Sequence, residues 1–310
     1  MLHTRPRSPC RTIALAVLGL LAVAPACAAA SEHREPPLLW QTRGFSAPES
    51  IVFDAARGAY YVSNMASRGE GATPGDGFIS RLDAHGNIAE LKWVAGLQNP
   101  KGLALANGRL YAGDDDALVE IDPDAGAIVA RHAPEDGGPA LFNDATADAA
   151  GNVYVFSRRL DTVYRLSAGT FAPWVKVDVQ VSGRFNGLRA DGDRLLAGSW
   201  QVPAADGGEQ LGHLSTFALA DGTPGRIGTA PIGHIDGIEP DGAGGWTVTD
   251  FTPGRLLHVD AEGRTRVLLQ LVKGTADHLY LPQQQLLLIP LLLEDRLLAY
   301  RWAPDADELN

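Results

Sequence analysis

Residues 184–200 read RFNGLRADGDRLLAGSW. Two short apolar stretches flank the turn DGD, so the segment reads as strand, turn, strand. Asn186 stands just ahead of the first strand, and it has two readings. It is a turn residue, because Asn tolerates unusual backbone angles and bonds its own main chain, or it points into a site. One copy of the phrase cannot decide between them; its recurrence can.

The phrase recurs. PESIVFDAARGAYYVSN (48–64), PKGLALANGRLYAGD (100–114), NDATADAAGNVYVFS (143–157), DGIEPDGAGGWTVTD (236–250) and DHLYLPQQQLLLIPL (277–291) repeat the strand, turn, strand order. A third strand follows each at FISRLD, ALVEID, TVYRLS, HLSTFAL, RLLHVD and RLLAYRW. Fourth strands are expected at AELKWVA, GAIVARH, FAPWVKV, GRIGTAP and TRVLLQL. Aligning the first strands places Glu49, Lys101, Asn143, Asn186, Asp236 and Asp277 in equivalent positions, at steps of 52, 42, 43, 50 and 41 residues. The long steps carry the loops MASRGEGATPGDG and QVPAADGGEQLG. Four-stranded units at this period predict an all-β, six-bladed β-propeller. The last unit lacks a strand, and LLWQTR (38–43) can supply it, pairing the two chain ends and leaving no free edge. Two stacked β-sandwiches would account for the strands but not for the constant phase.

Phase turns a turn residue into a site candidate. First strands line a propeller's central channel, so residues in equivalent positions converge on one mouth. Glu49 and Asp236 bring carboxylates, Asn143 and Asn186 bring amide oxygens, and Asp144 and Asp277 add further carboxylates. Mixed carboxylate and amide oxygens suit a hard cation, calcium above all. The expected metal ligands are Glu49, Asn186, Asp236 and Asn143. Lys101 does not fit a cation site. It either neutralises a neighbouring acid, binds an anionic part of a substrate or takes the place of the metal, or the register shifts by two and puts Asn99 in the ring.

The chain begins with Arg5, Arg7 and Arg11, followed by the apolar run IALAVLGLLAVAPA and the small-residue segment ACAAASE. This pattern predicts a signal peptide over 1–30, cleaved after Ala28 or Ala30, and one propeller domain over 31–310. The apolar run is short for a membrane anchor. APAC lacks a leucine three places before Cys27, which argues against lipoprotein anchoring. The expected location is periplasmic or secreted. Both cysteines, Cys10 and Cys27, fall in the signal segment, so disulfides, thiolate metal sites and a cysteine nucleophile are excluded from the mature chain. The formal charge of −11 argues against nucleic acid and anionic membranes as partners.

Other features have plainer readings. His234 and His278 flank ring positions and could shuttle protons near neutral pH, but a locally bonded strand histidine is the simpler account. GDDDALVEID (113–122) looks like a calcium loop, and also like a solvated turn. Trp200 and Trp246 read as packing between blades. The Gly-rich loop 65–77 could cover the channel. No phosphate-loop, nucleophile-elbow or zincin motif occurs.

APESIVFD, FNDATADAAGNVYV, NGLRADGDRLLAGSW and DGIEPDGAGGWTVTD, in this order, resemble the regucalcin/gluconolactonase family of six-bladed propellers. The resemblance implies that Glu49, Asn186 and Asp236 bind a divalent metal, with Asn143 beside them touching substrate or metal. It implies a small lactone or ester as substrate, and Asp236 as general base. Where that family would hold a sugar with an arginine two places before the ND pair, this chain has Leu141. The catalytic candidates are therefore Asp236, Asn143 and Lys101, the last two steadying an oxyanion or an anionic substrate group. The alternative is a noncatalytic propeller that holds a small ligand or a protein partner at the same mouth. Fold alone does not separate the two.

Overall fold

The structure is a computed structural model that describes residues 1–3, 35–66, 73–204 and 206–303. The chain divides into Met1–Arg34 and Glu35–Asn310. The expected signal segment and its cleavage sites, and residues 67–72 of the expected channel loop, lie outside the described residues.

The second unit forms six four-stranded antiparallel sheets. Blade 1 runs Pro48–Asp54, Ala59–Asn64, Gly77–Leu82 and Ile88–Leu97 from inside to outside. Blades 2 to 5 repeat this order, with inner strands Leu103–Ala106, Phe142–Ala147, Phe185–Asp191 and Ile235–Pro240. Blade 6 has Leu279–Leu281, Leu286–Leu291 and Arg296–Arg301, and its outer strand is Leu38–Arg43 from the start of the chain. The ring is thus latched by pairing across its ends, Thr42 opposite Leu297 and Arg43 opposite Arg296.

The burial pattern shows why alternation was faint in the sequence. Second strands such as Val153–Ser157 and Trp246–Asp250 are buried on both faces, because each blade packs between two others. Outer strands alternate, as in Ala127–His132, because one face meets water. Six apolar clusters fill the six seams. The closing seam sets Leu279, Leu288 and Leu297 of blade 6 against Ile51, Tyr60 and Val62 of blade 1. Burying each such side chain contributes about 1.5–3 kcal/mol, enough for a chain with no disulfide among its described residues.

Two elements were not expected. The loop after Trp200 carries its own hairpin, Gln201–Pro203 with Glu209–Leu211, whose strands are too short to show a period. A single helical turn, Val179–Ser182, precedes blade 4, capped by Asp178, which accepts from the Gln180 N–H at 3.0 Å.

Candidate functional site at the channel mouth

The site grows out of an irregularity shared by four inner strands. Regular pairing sends alternate side chains to opposite faces. In blades 1, 3, 4 and 5 the register slips at the ring position: between Pro48 and Ile51, Phe142 and Ala145, Phe185 and Gly187, and Ile235 and Ile238. A bulge re-aims side chains that a flat ladder would bury in the seams. It falls on Glu49–Ser50, Asn143–Asp144, Asn186 and Asp236–Gly237. Blade 6 joins the ring differently: the Asp277 N–H leaves its own sheet and donates to the Glu49 carbonyl at 3.0 Å.

Two glycines let the ring close tightly. A Cβ on Gly187 would overlap the Asp236 carbonyl oxygen, and one on Gly237 would sit 2.5 Å from Asp277 Oδ1. Both residues therefore serve close packing, and the NG and DG pairs are not reverse turns here.

The ring residues meet. Asn143 Nδ2 donates to Asn186 Oδ1, and Asn186 Nδ2 donates to Asp236 Oδ1 at 2.5 Å. Asp277 Oδ2 accepts from the Ser50 hydroxyl at 2.6 Å. Asp144 accepts from the Leu188 N–H at 2.5 Å and from its neighbour Ala145 N–H at 2.7 Å. Glu49 and Asp236 are only 5 % and 3 % exposed. Glu49 Oε2 is buried and has no hydrogen-bond partner among the described residues.

Burial raises every carboxyl in the ring, and neighbouring acids raise Glu49, Asp144 and Asp236 further. Burial, then the charges of Asp236 and Asp277, push Glu49 well above the usual range, with Lys101 opposing. Burial, then Asp277 and Asp144, do the same to Asp236, with Arg158 opposing. Asp144 is raised by burial, then by Asp277 and Glu49. Asp277 rises to about 6 through burial, less what the Ser50 hydroxyl returns. A cation would relieve this repulsion, and the donor set is hard oxygen. Among the described residues no three His, Cys, Asp or Glu are arranged to hold a metal ion unaided. A cation here therefore draws on the Asn143 and Asn186 amide oxygens as well. Turning either amide over exchanges a donor for an acceptor.

Lys101 keeps the ring register: its N–H donates to the Gly113 carbonyl at 2.8 Å, beside the Gly113 N–H to Gly102 carbonyl bond. Its ammonium bonds Asp115 Oδ1 at 2.8 Å and the Asn99 carbonyl at 3.0 Å. Asn99 supports this turn through Asp115 Oδ2, so the shifted register is not adopted. In GDDD, Asp114 is buried, not solvated, and accepts from the Gln98, Asn99 and Asp115 N–H groups.

Below the ring lies a layer the sequence reading missed. Arg189 Nη1 bonds Glu239 Oε1 at 2.9 Å, and His278 Nε2 lies 2.7 Å from Thr247 Oγ1. Burial raises Glu239 to about 8 despite Arg189, and burial lowers His278 to about 3. His278 is therefore neutral, and its partner is Thr247 of the neighbouring blade rather than the local group that the plainer reading expected. Arg189 and Glu239 each follow a ring residue by three, so the same phase rule, carried further down the strand, finds them.

Above the ring, the residue leaving the second strand of blades 1, 3, 4 and 5 forms an upper tier. The N–H groups of Met65, Arg158, Trp200 and Phe251 donate to the carbonyls of Ala47, Leu141, Arg184 and His234 at 3.0–3.1 Å. Each acceptor stands two places before its ring residue. Trp200 packs against His234 and Phe251, with ring centroids 5.2 Å apart in both pairs. It therefore packs between blades 4 and 5, as the sequence suggested, and also lines a cavity of about 250 Å³. Trp246 is buried in the seam between the same blades. A second cavity of about 410 Å³ is lined by Lys101, Asp115, Leu141, Arg158, Arg159 and Arg184.

Comparison with solved structures matches this architecture. A gluconolactonase from Xanthomonas campestris superposes with a TM-score of 0.64 at 15 % identity, over 87 % of this chain and 95 % of that one. A structural-genomics target with a provisional gluconolactonase name superposes with a TM-score of 0.60 at 17 % identity, over 84 % and 91 %. The chain shares the six-bladed propeller fold of the gluconolactonases. A virginiamycin B lyase from Staphylococcus aureus also superposes, with a TM-score of 0.56 at 12 % identity, over 84 % and 97 %. No protein-family model and no curated protein sequence matches the chain.

Proposed function

We propose that this protein is an exported, metal-dependent hydrolase of a small lactone or ester, with calcium as its metal, acting at the channel mouth. The observation that carries the reading is Glu49 Oε2, a buried carboxylate oxygen without a partner, set among three other raised carboxyls and two amide side chains. Such a cluster is costly without a cation. Glu49, Asn186 and Asp236 would hold the ion, with Asn143 beside them. When bound, the ion supplies Lewis-acid polarisation of the substrate carbonyl.

The chain's own groups do the rest. Asp236 takes a proton from a water molecule as the water oxygen bonds to the carbonyl carbon. The ring C–O bond then breaks, and the departing alkoxide recovers the proton, giving a hydroxy acid. Asn143 Nδ2, which in the free protein donates to Asn186 Oδ1, would turn to the developing oxyanion or an anionic group of the substrate, and the Lys101 ammonium, held by Asp115, would add its charge nearby. The neutral, buried His278 takes no part in proton transfer. The solved neighbours include a lyase as well as a gluconolactonase, so the fold leaves the reaction open and the site must decide it. Among the described residues no helix is long and apolar enough to cross a membrane. The export reading rests on the sequence of residues 1–30, and N-terminal sequencing of the mature protein tests it.

The deciding experiment combines elemental analysis with a lactone and aryl-ester panel, run with and without chelator. Bound calcium with chelator-sensitive hydrolysis is the expected result. Absence of both metal and turnover ends this reading in favour of a binding module.

A further inference from the structure

The mouth is charged in a way the whole chain is not. The chain carries a net charge of −11, yet Lys101, Arg158, Arg159 and Arg184 line one cavity above the acidic ring. Three of these cations are neutralised in place: Lys101 by Asp115, Arg159 by Asp136 at 2.8 Å and Arg184 by Asp161 at 3.2 Å. Arg158 is exposed and pairs with no carboxylate among the described residues. Its main chain is fixed, because its N–H bonds the Leu141 carbonyl at 3.1 Å and Ser157 before it is buried. It lines both mouth cavities, the one that holds Trp200 and the one that holds Lys101. Its charge also reaches Asp236, whose carboxyl it pulls down against burial.

An arginine in this state is set to bind an oxyanion. Its planar fork matches the two oxygens of a carboxylate or phosphate, and it holds its charge at every working pH. We infer that Arg158 is a specificity residue that binds a carboxylate or phosphate group on the substrate, at the open end of the site, while the ester carbonyl lies at the ring. Trp200, on the neighbouring blade, gives an apolar wall to the other of the two cavities that Arg158 lines. The substrate class is therefore an anionic lactone or ester with an apolar portion, not a neutral sugar lactone. Leu141, half-exposed in the cavity at 40 %, agrees with this, since it offers a sugar hydroxyl no partner. The inference rests on the hydrolase reading for its carbonyl, but not for its anion.

The test therefore has two independent arms on the full mature protein. In the first, glutarate and inorganic phosphate are titrated calorimetrically into wild type, Arg158→Ala, Arg158→Glu and Arg264→Ala, the last removing an arginine from an exposed outer turn. The expected result is binding that weakens with salt and falls about 10- to 100-fold in Arg158→Ala, further in Arg158→Glu, and not in Arg264→Ala. Preference for glutarate or for phosphate identifies the group. In the second arm, a γ-lactone is compared with its carboxylated and phosphorylated forms. Arg158→Ala should raise KM for the anionic forms by a similar factor and leave the neutral form unchanged. Equal anion binding by wild type and Arg158→Ala, or by neither, overturns the inference even if lactones are hydrolysed. Arg158-dependent anion binding without any turnover sustains it and removes the hydrolase instead.

Discussion

Aspartates stand at the two ends of the blades in opposite conditions. At one end, Asp83, Asp148, Asp241 and Asp260 sit in the turns between strands. Each uses Oδ1 to accept backbone N–H groups two and four residues on, at 2.7–3.1 Å. Their carboxyls lie below the usual range. Asn87 does this for the exposed Asp83; for Asp148, Asp241 and Asp260, bonds from Asn152, His258 and Arg264 outweigh burial. At the other end, buried Asp144 and Asp236 and half-buried Asp277 gather near Glu49, and all are raised. The residue type is the same, and so is its place near a strand end. The difference is the balance: in the turns the hydrogen bonds outweigh burial, whereas in the ring burial, joined for Asp144 and Asp236 by neighbouring acids, outweighs the donors each carboxyl has. Turn aspartates stabilise this fold as it stands, whereas the ring aspartates are the ones that the proposed cation would stabilise.

The largest effect that would break this contrast is on activity. Glu49→Gln and Asp236→Asn should each lower calcium-dependent turnover by about 10³-fold, while a turn variant such as Asp148→Ala leaves it intact. Steady-state hydrolysis of the panel lactones measures this. Equal losses in ring and turn variants would erase the distinction.

Stability should separate the two groups in the reverse sense. Without calcium, Glu49→Gln should be neutral or stabilising, because it removes a buried acid that its neighbours repel. Adding calcium at 100 times its Kd should stabilise wild type by about 2.7 kcal/mol and Glu49→Gln by far less. Thermal denaturation with and without the ion reads both.

Geometry comes next in size. Gly187→Ala places a Cβ on the Asp236 carbonyl and should cost about 1–3 kcal/mol. Asp241→Ala removes two backbone acceptor bonds and the 2.8 Å contact with buried His258, at a cost of about 1–3 kcal/mol. Urea unfolding ranks them, and only the Gly187 variant should also lower calcium affinity.

A further contrast is in pH. Glu239 has its folded-state pKa raised from 4.5 to about 8, so the folded chain holds a proton that the unfolded chain has released. Its contribution is complete below 4.5 and is lost as pH rises towards 8. The turn aspartates are lowered, so theirs is lost as pH falls below the usual aspartate value. Glu239→Gln should flatten the decline on the alkaline side and leave the acid limb unchanged, as denaturation midpoints across pH will show.

Much of this was legible before any coordinates. The five steps between NG-like phrases gave six blades, and the strand missing from blade 6 was found at residues 38–43, where it pairs with Arg296–Arg301. The phase of the first strands brought Glu49, Asn143, Asn186 and Asp236 to one place. The inner Arg189 and Glu239 obey the same phase three residues later. The upper tier with Arg158 and Trp200 follows the phase of the second strands. These two layers were missed because the alignment was followed along one row only.

Sequence alone determined the repeat, its number and the oxygen-rich character of one row, because a propeller's symmetry is written into spacing and residue type. Tertiary structure alone decided which side chains leave the seams for the channel, which carboxyls stay without donors and which arginine stays without a carboxylate. Those outcomes depend on register slips of a single residue and on partners 40 to 250 positions away, as with Asn143 and Asn186 or Ala47 and Asp295. Local composition is nearly the same for a bulged strand as for a regular one, so only the assembled ring distinguishes them.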